Sequence, residues 1–165
     1  MPSTGPRGQG GIVSKHKTQA LIVTAAVIFE KGKVLVTQRK ETSFHRLLWE
    51  FPGGKVRANE EPREALQREL REELGVEARV GNLFEVVYHV YPEFPILLLV
   101  YECIIERGIP KPMECRDLRW MEVQEVLTLS MPAADEPIRR HLVALERREE
   151  PPPGVSRLGF VSGPR

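Results

Sequence analysis

The sequence predicts an α/β fold of the α+β kind, a mixed β-sheet sandwiched between helices. Three observations lead there. Long Val-, Ile-, Leu- and Tyr-rich runs crowd the middle of the chain, two helical patterns stand far apart, and the regular alternation of strand and helix that marks a doubly wound sheet is absent. With 165 residues the chain has room for one domain and one substantial core.

Residues 1–18 (MPSTGPRGQGGIVSKHKT) are rich in Gly, Pro and Ser and read as a flexible N-terminal arm; residues 150–165 read as a flexible tail of the same kind. The domain is expected between them, over 19–149. Ala20 to Glu30 is a β-branched strand, joined through Lys31-Gly32 in a hairpin to a second, Val34 to Gln38. Lys40 to Leu48 is a polar loop. Trp49-Glu50-Phe51 is a short extended piece, stopped by a Pro52-Gly53-Gly54 turn. Glu61 to Leu74 is a helix: Pro62 suits its first turn, Leu66, Leu70 and Leu74 form an apolar stripe, and Gly75 ends it. Arg79 to Tyr91 and Ile96 to Glu106 are long strands, Leu118 to Glu122 a shorter one. Ala134 to Arg148 is a second helix with Ile138, Leu142, Val143 and Leu145 on its apolar side.

The totals narrow the function. A net charge of +1, with 28% charged residues, offers no basic excess for a nucleic-acid polymer. An anionic ligand must therefore be held by a local site. The two cysteines, Cys103 in an apolar strand and Cys115 in a polar loop, make no disulfide framework and read as reduced thiols of a cytoplasmic chain. The longest apolar run, Leu21 to Phe29, is too short to span a bilayer, and no secretory signal precedes it. Monomer and homodimer both remain open.

The most informative local feature is a fan of glutamates. Taking Glu69 as zero, Glu72 falls near −60° and Glu73 near +40° at roughly 100° per residue. Like charges so spaced each destabilise a helix by about 0.2–0.5 kcal/mol. The fan also lies near the C-terminal end of the helix, where the macrodipole disfavours anions. A hard divalent cation held by carboxylate oxygens would relieve both penalties, and the turn at Gly53-Gly54 would let backbone carbonyls approach it. Arg68, one turn before Glu72, is placed to pair with Glu72 or with Glu60.

The segment GKVRANEEPREALQRELREELGV matches the template G-x5-E-x7-R-E-U-x-E-E-x-G-U, U being aliphatic, at Gly54, Glu60, Arg68, Glu69, Leu70, Glu72, Glu73, Gly75 and Val76. Nine fixed positions within 23 residues make it far more specific than charge clustering. The chain therefore resembles the Nudix hydrolases, which cleave nucleoside diphosphates linked to another moiety. The resemblance implies the Nudix fold, with the box as a loop-helix-loop, and Mg²⁺ (or Mn²⁺) as cofactor. The run Trp49 to Lys55 is similar to the MutT-type branch. It implies a nucleoside triphosphate as substrate, cleaved to monophosphate and pyrophosphate.

Carried over on matching positions, the resemblance makes Gly53, Glu69, Glu72 and Glu73 metal ligands, with Glu114, six residues before Trp120, as a further one. Glu69 is the first choice for general base, Glu73 and Glu114 are the others, and Arg68 supports the box. Arg39 is matched to the arginine that contacts phosphates, while Glu50, Phe51, Pro52 and Lys55 belong to the nucleotide-contacting run. Asp135 stands where the oxidised-guanine enzymes carry a base-reading asparagine, and Pro132-Ala133-Ala134-Asp135 also resembles the CTP pyrophosphohydrolase type. An ionised aspartate only accepts hydrogen bonds and suits a cytosine amine; a protonated one also donates, which keeps guanine derivatives in play. A plain helix cap is the competing role for Asp135. Phe51, Tyr88, Tyr91 and Phe94 are candidates for stacking on a base, with the core as the commoner destination of strand aromatics, and Trp120 is assigned to the core. His16, His45, His89 and His141 show no metal-like spacing. Hydrolysis of another nucleoside diphosphate derivative (an ADP-sugar or dinucleoside polyphosphate) and a silent nucleotide-binding domain are the alternatives.

Overall fold

The computed structural model describes residues 19–43 and 45–149; the expected arm 1–18 and tail 150–165 lie outside them. Strand β1 (Leu21–Glu30) turns into β2 (Lys33–Gln38) through Lys31 and Gly32, whose φ angles of 51° and 77° are those of a type I′ hairpin. There follow β3 (Trp49–Glu50), β4 (Gly53–Lys55), helix α1 (Pro62–Leu74), β5 (Glu77–Val90), β6 (Pro95–Arg107), β7 (Asp117–Met121), the short helix α2 (Val123–Val126), a 3-10 turn over Ala133–Asp135 and α3 (Glu136–Glu149).

The sheet is mixed. Its main path runs β3-β2-β1-β6-β5, with β4 paired to β1 and β7 to β2. β1 and β6 are parallel, in register from Leu21↔Ile96 to Ile28↔Cys103; the other pairs are antiparallel. A strand continuously apolar, as β1 is, serves a sheet covered on both faces. Accordingly Ala25 and Val27 enter one core with Ile138 and Leu142 of α3, while Ala26 and Ile28 enter the other with Leu66, Leu70 and Leu74 of α1. Those three leucines are completely buried, each contributing about 1.5–3 kcal/mol, and they fix the roll of α1 about its axis. Glu61 caps α1, its carboxylate accepting from the N–H groups of Arg63 and Glu64.

Three expectations need correction. Gly53-Gly54 does not form a turn but opens β4, paired with β1. Helix α2 was not foreseen, since four residues carry too little periodicity to read. Tyr88 lies neither in the core nor over a cleft; on the edge strand β5 it is 64% exposed. Trp120 is half-buried against the α1 core.

Candidate functional site

β4 brings the glycines to the glutamates. Its register with β1 (Thr24↔Gly54, Ala25↔Gly53) leaves no room for side chains. A Cβ at Gly53 (φ 156°) would lie 2.1 Å from the Thr24 carbonyl oxygen; one at Gly54 would lie 2.3 Å from Glu69 Cδ. The approach is locked by Ala26 N–H donating to the Pro52 carbonyl at 2.8 Å and by the Thr24 hydroxyl donating to the Gly54 carbonyl at 3.3 Å.

Glu73 points inward from α1 and is buried, its Oε2 accepting the Gly53 N–H at 3.2 Å. Burial, followed by the neighbouring charge of Glu50, pushes its carboxyl up to about 8. The Gly53 N–H, and after it the buried Thr37 hydroxyl close by, act in the opposite direction.

Arg68 gathers the rest of the box. Its Nε and Nη2 donate to the two oxygens of Glu60 at 2.7 and 2.9 Å, and Nη1 donates to Glu69 at 2.7 Å and Glu72 at 3.3 Å. Nη2 also reaches the Lys55 carbonyl at 3.1 Å. Hydrogen bonding to Arg68 holds the Glu60 carboxyl down at about 2. The sequence offered Glu72 or Glu60 as partners; the guanidinium takes both and adds Glu69.

The loop before β7 is pinned to the end of α1. The Met113 and Glu114 N–H groups donate to the Glu73 carbonyl at 3.0 and 3.3 Å, and Lys111 N–H to the Leu74 carbonyl at 3.0 Å. These are carbonyls a helix end leaves unsatisfied.

Glu69, Glu73, Glu114, Gly53, Gly54, Lys55, Arg39, Glu50, Phe51 and Asp135 all line one cleft of about 630 Å³. Three candidates do not share it, Arg68 among them. Glu72 sits outside the lining with Arg57 at 3.7 Å and Arg68 at 3.3 Å, and Pro52 is buried with its carbonyl committed to Ala26. The cleft also has apolar walls, formed by Leu21, Val23, Ile96, Leu98, Tyr91 and Phe94. Asp135 is buried there with its Oδ2 unpartnered. Burial foremost, then the charge of Glu50, pushes its carboxyl well above the ordinary value despite Arg39 and Arg139. Burial thus favours the neutral form, which both donates and accepts, over the ionised acceptor. The Tyr91 hydroxyl accepts the Ala134 N–H at 3.2 Å and so holds the turn that carries Asp135.

Sequence reasoning missed Thr24, Thr37 and Cys115. The first two sit in strands where Thr is ordinary, and only a neighbouring strand's glycine or a buried carboxylate gives them meaning. Cys115, expected in a polar loop, is buried and lines the cleft, its thiol pushed up to about 11 by burial and by Glu73.

Among the described residues no three His, Cys, Asp or Glu side chains already stand at metal-holding spacing, Glu69 and Glu72 being drawn to Arg68. The donor set still fits a hard cation. It offers oxygen atoms only, burial disfavours a charge on Glu73 that a bound cation would favour, and the glycine at position 54 leaves Glu69 its space.

The NUDIX domain family model matches residues 19–145. The chain belongs to the Nudix family. It is 38% identical to the CTP pyrophosphohydrolase of Escherichia coli K12 over 123 residues, 74% of this chain and 91% of that protein. It is 32% identical to the 8-oxo-dGTP diphosphatase of the same organism, over 66% of this chain and 84% of that one. The solution structure of the E. coli ORF135 protein superposes with a TM-score of 0.69 at 35% identity, covering 80% of this chain and 94% of that one. The mixed sheet with helices on both faces is therefore the Nudix fold, and the box is its loop-helix-loop. As a Nudix hydrolase the protein is an enzyme of phosphoric-anhydride cleavage, from a family of nucleotide pyrophosphohydrolases that generally use divalent metals.

Proposed function

We propose that this Nudix hydrolase is a Mg²⁺-dependent nucleoside triphosphate pyrophosphohydrolase, releasing nucleoside monophosphate and pyrophosphate from cytosine or oxidised-guanine nucleotides. The observation that carries this reading is the make-up of one cleft: carboxylates and glycine backbone together with apolar walls and the buried Asp135, whose neutral form burial favours. Those two kinds of lining suit a polyphosphate and a base.

Gly53 (through its carbonyl), Glu69, Glu73 and Glu114 would hold Mg²⁺, with Mn²⁺ as a substitute; Glu72 would join once released by Arg68. The bound ion would supply neutralisation of phosphate charge and acidification of a water. Glu69 is assigned as the proton acceptor for the attacking water because it lines the cleft at Gly54. Arg39 and Lys55 face the phosphates; the half-buried Tyr91 and Phe94 are the aromatics placed to stack on the base, whereas Phe51, 3% exposed, belongs to the core. Asp135 orients the base by a donor and an acceptor side by side. A neutral carboxyl pairs with either order of donor and acceptor, so it fits the N4 and N3 edge of cytosine and the O6 edge of an oxidised guanine alike. Cytosine is placed first because the relative named for CTP aligns over nearly its whole length. The free thiols of Cys103 and Cys115 support a cytoplasmic setting.

A panel of CTP, 5-methyl-dCTP, dGTP and 8-oxo-dGTP, ranked by kcat/KM with Mg²⁺, tests the assignment. Turnover of a cytosine or 8-oxoguanine nucleotide at least about tenfold above dGTP supports it. A flat profile, or a preference for ADP-ribose or a dinucleoside polyphosphate added to the panel, overturns it.

A further inference from the structure

Glu50 lines the cleft close enough to both Glu73 and Asp135 for its charge to act on each. It lies on β3, opposite Thr37 of β2, and its Oε2 accepts from Arg39 Nη1 at 2.6 Å. The pair is held from both sides by backbone: Arg39 N–H donates to the Leu48 carbonyl at 2.9 Å, and Trp49 N–H to the Ser130 carbonyl at 2.9 Å. Both side chains line the cleft and are mostly shielded, 28% exposed for Arg39 and 23% for Glu50. Arg39 Nε is buried and has no partner. A guanidinium has five N–H donors in a rigid plane, so fixing one corner fixes the direction of the others. A carboxylate facing a cleft that takes polyphosphate is electrostatically unfavourable unless it serves something other than the phosphate itself.

We infer that Glu50 is a positioning residue, clamping Arg39 through Nη1 so that its remaining donors stay aimed at the substrate's phosphate oxygens. It acts through Arg39 and does not contact the nucleotide as the run Trp49 to Lys55 suggested from sequence. This rests on the polyphosphate reading of the cleft.

The test is a double-mutant cycle of Glu50→Ala and Arg39→Ala, with Glu50→Gln as the conservative variant, since its amide oxygen still accepts from Nη1. Two readouts are needed: CTP hydrolysis with Mg²⁺, and calorimetric binding of inorganic pyrophosphate with Mg²⁺. Thermal melts restrict the comparison to folded variants. Glu50→Ala is expected to raise KM for CTP and Kd for pyrophosphate about tenfold while kcat changes less than about threefold. Glu50→Gln should restore most of the loss, and Glu50→Ala should add nothing in the Arg39→Ala background. Equal losses with and without Arg39, or Glu50→Gln as damaging as Glu50→Ala, would overturn the inference. If CTP is not hydrolysed but pyrophosphate binding shows the coupling, the positioning role stands and the substrate assignment falls. If neither pyrophosphate binding nor turnover responds to Glu50→Ala, the positioning role falls.

Discussion

Glu73 is held in place at its own expense. The helix periodicity that buries Leu66, Leu70 and Leu74 also turns Glu73 inward, where its carboxyl rises to about 8. In the unfolded chain it titrates near 4.5. The folded state therefore binds the extra proton between those values, and stability falls as pH rises through that window, levelling off above about 8. Glu73→Gln keeps an acceptor for the Gly53 N–H and removes the charge. In metal-free protein at pH 7 it should be more stable than the parent by up to about 3 kcal/mol, with a flatter pH dependence from 5 to 8 by denaturant melts. Mg²⁺ should narrow the gap, because it binds the parent's folded state preferentially. Unchanged stability and slope would show that Glu73 is not buried as a strained charge.

At the scale of elements, β4 and α1 form one device, and its two glycines do different things. Gly54→Ala meets only the tip of the Glu69 side chain, which can swing aside. The fold should survive with a Tm change of a few degrees, while kcat falls about 10²-fold because the proton acceptor is displaced by about 1 Å. Gly53→Ala meets the Thr24 backbone, so β1 and β4 must part and stability itself should drop by about 2 kcal/mol or more. Similar behaviour of the two variants, in melting and in turnover, would contradict that division. This device also marks how far the sequence was readable. The box and the leucine stripe were plain because helical spacing is local. The strand character of Gly53–Lys55 was hidden because it depends on pairing with β1, 30 residues away in the case of Thr24 and Gly54. For Asp135 the sequence left ionised and protonated forms both open, since the burial that favours the neutral form comes only with the assembled fold.

For the whole molecule, the two-faced sheet explains why the site lies where it does. α1 covers one core and α3 the other, while residues of β1, β3, β4 and α1 and of the turn carrying Asp135 line one cleft. No helix among the described residues is long and apolar enough to cross a membrane. The account stands on a cation gripped at Glu69, Glu73 and Gly53 against a polyphosphate. Product analysis of CTP incubated with the parent enzyme and Glu69→Gln, each with Mg²⁺ and with EDTA, tests this most directly. The account predicts CMP and pyrophosphate from the parent with Mg²⁺, none with EDTA, and a loss of about 10³-fold or more in a normally folded Glu69→Gln. Metal-independent turnover, or near-normal activity of Glu69→Gln, would contradict it.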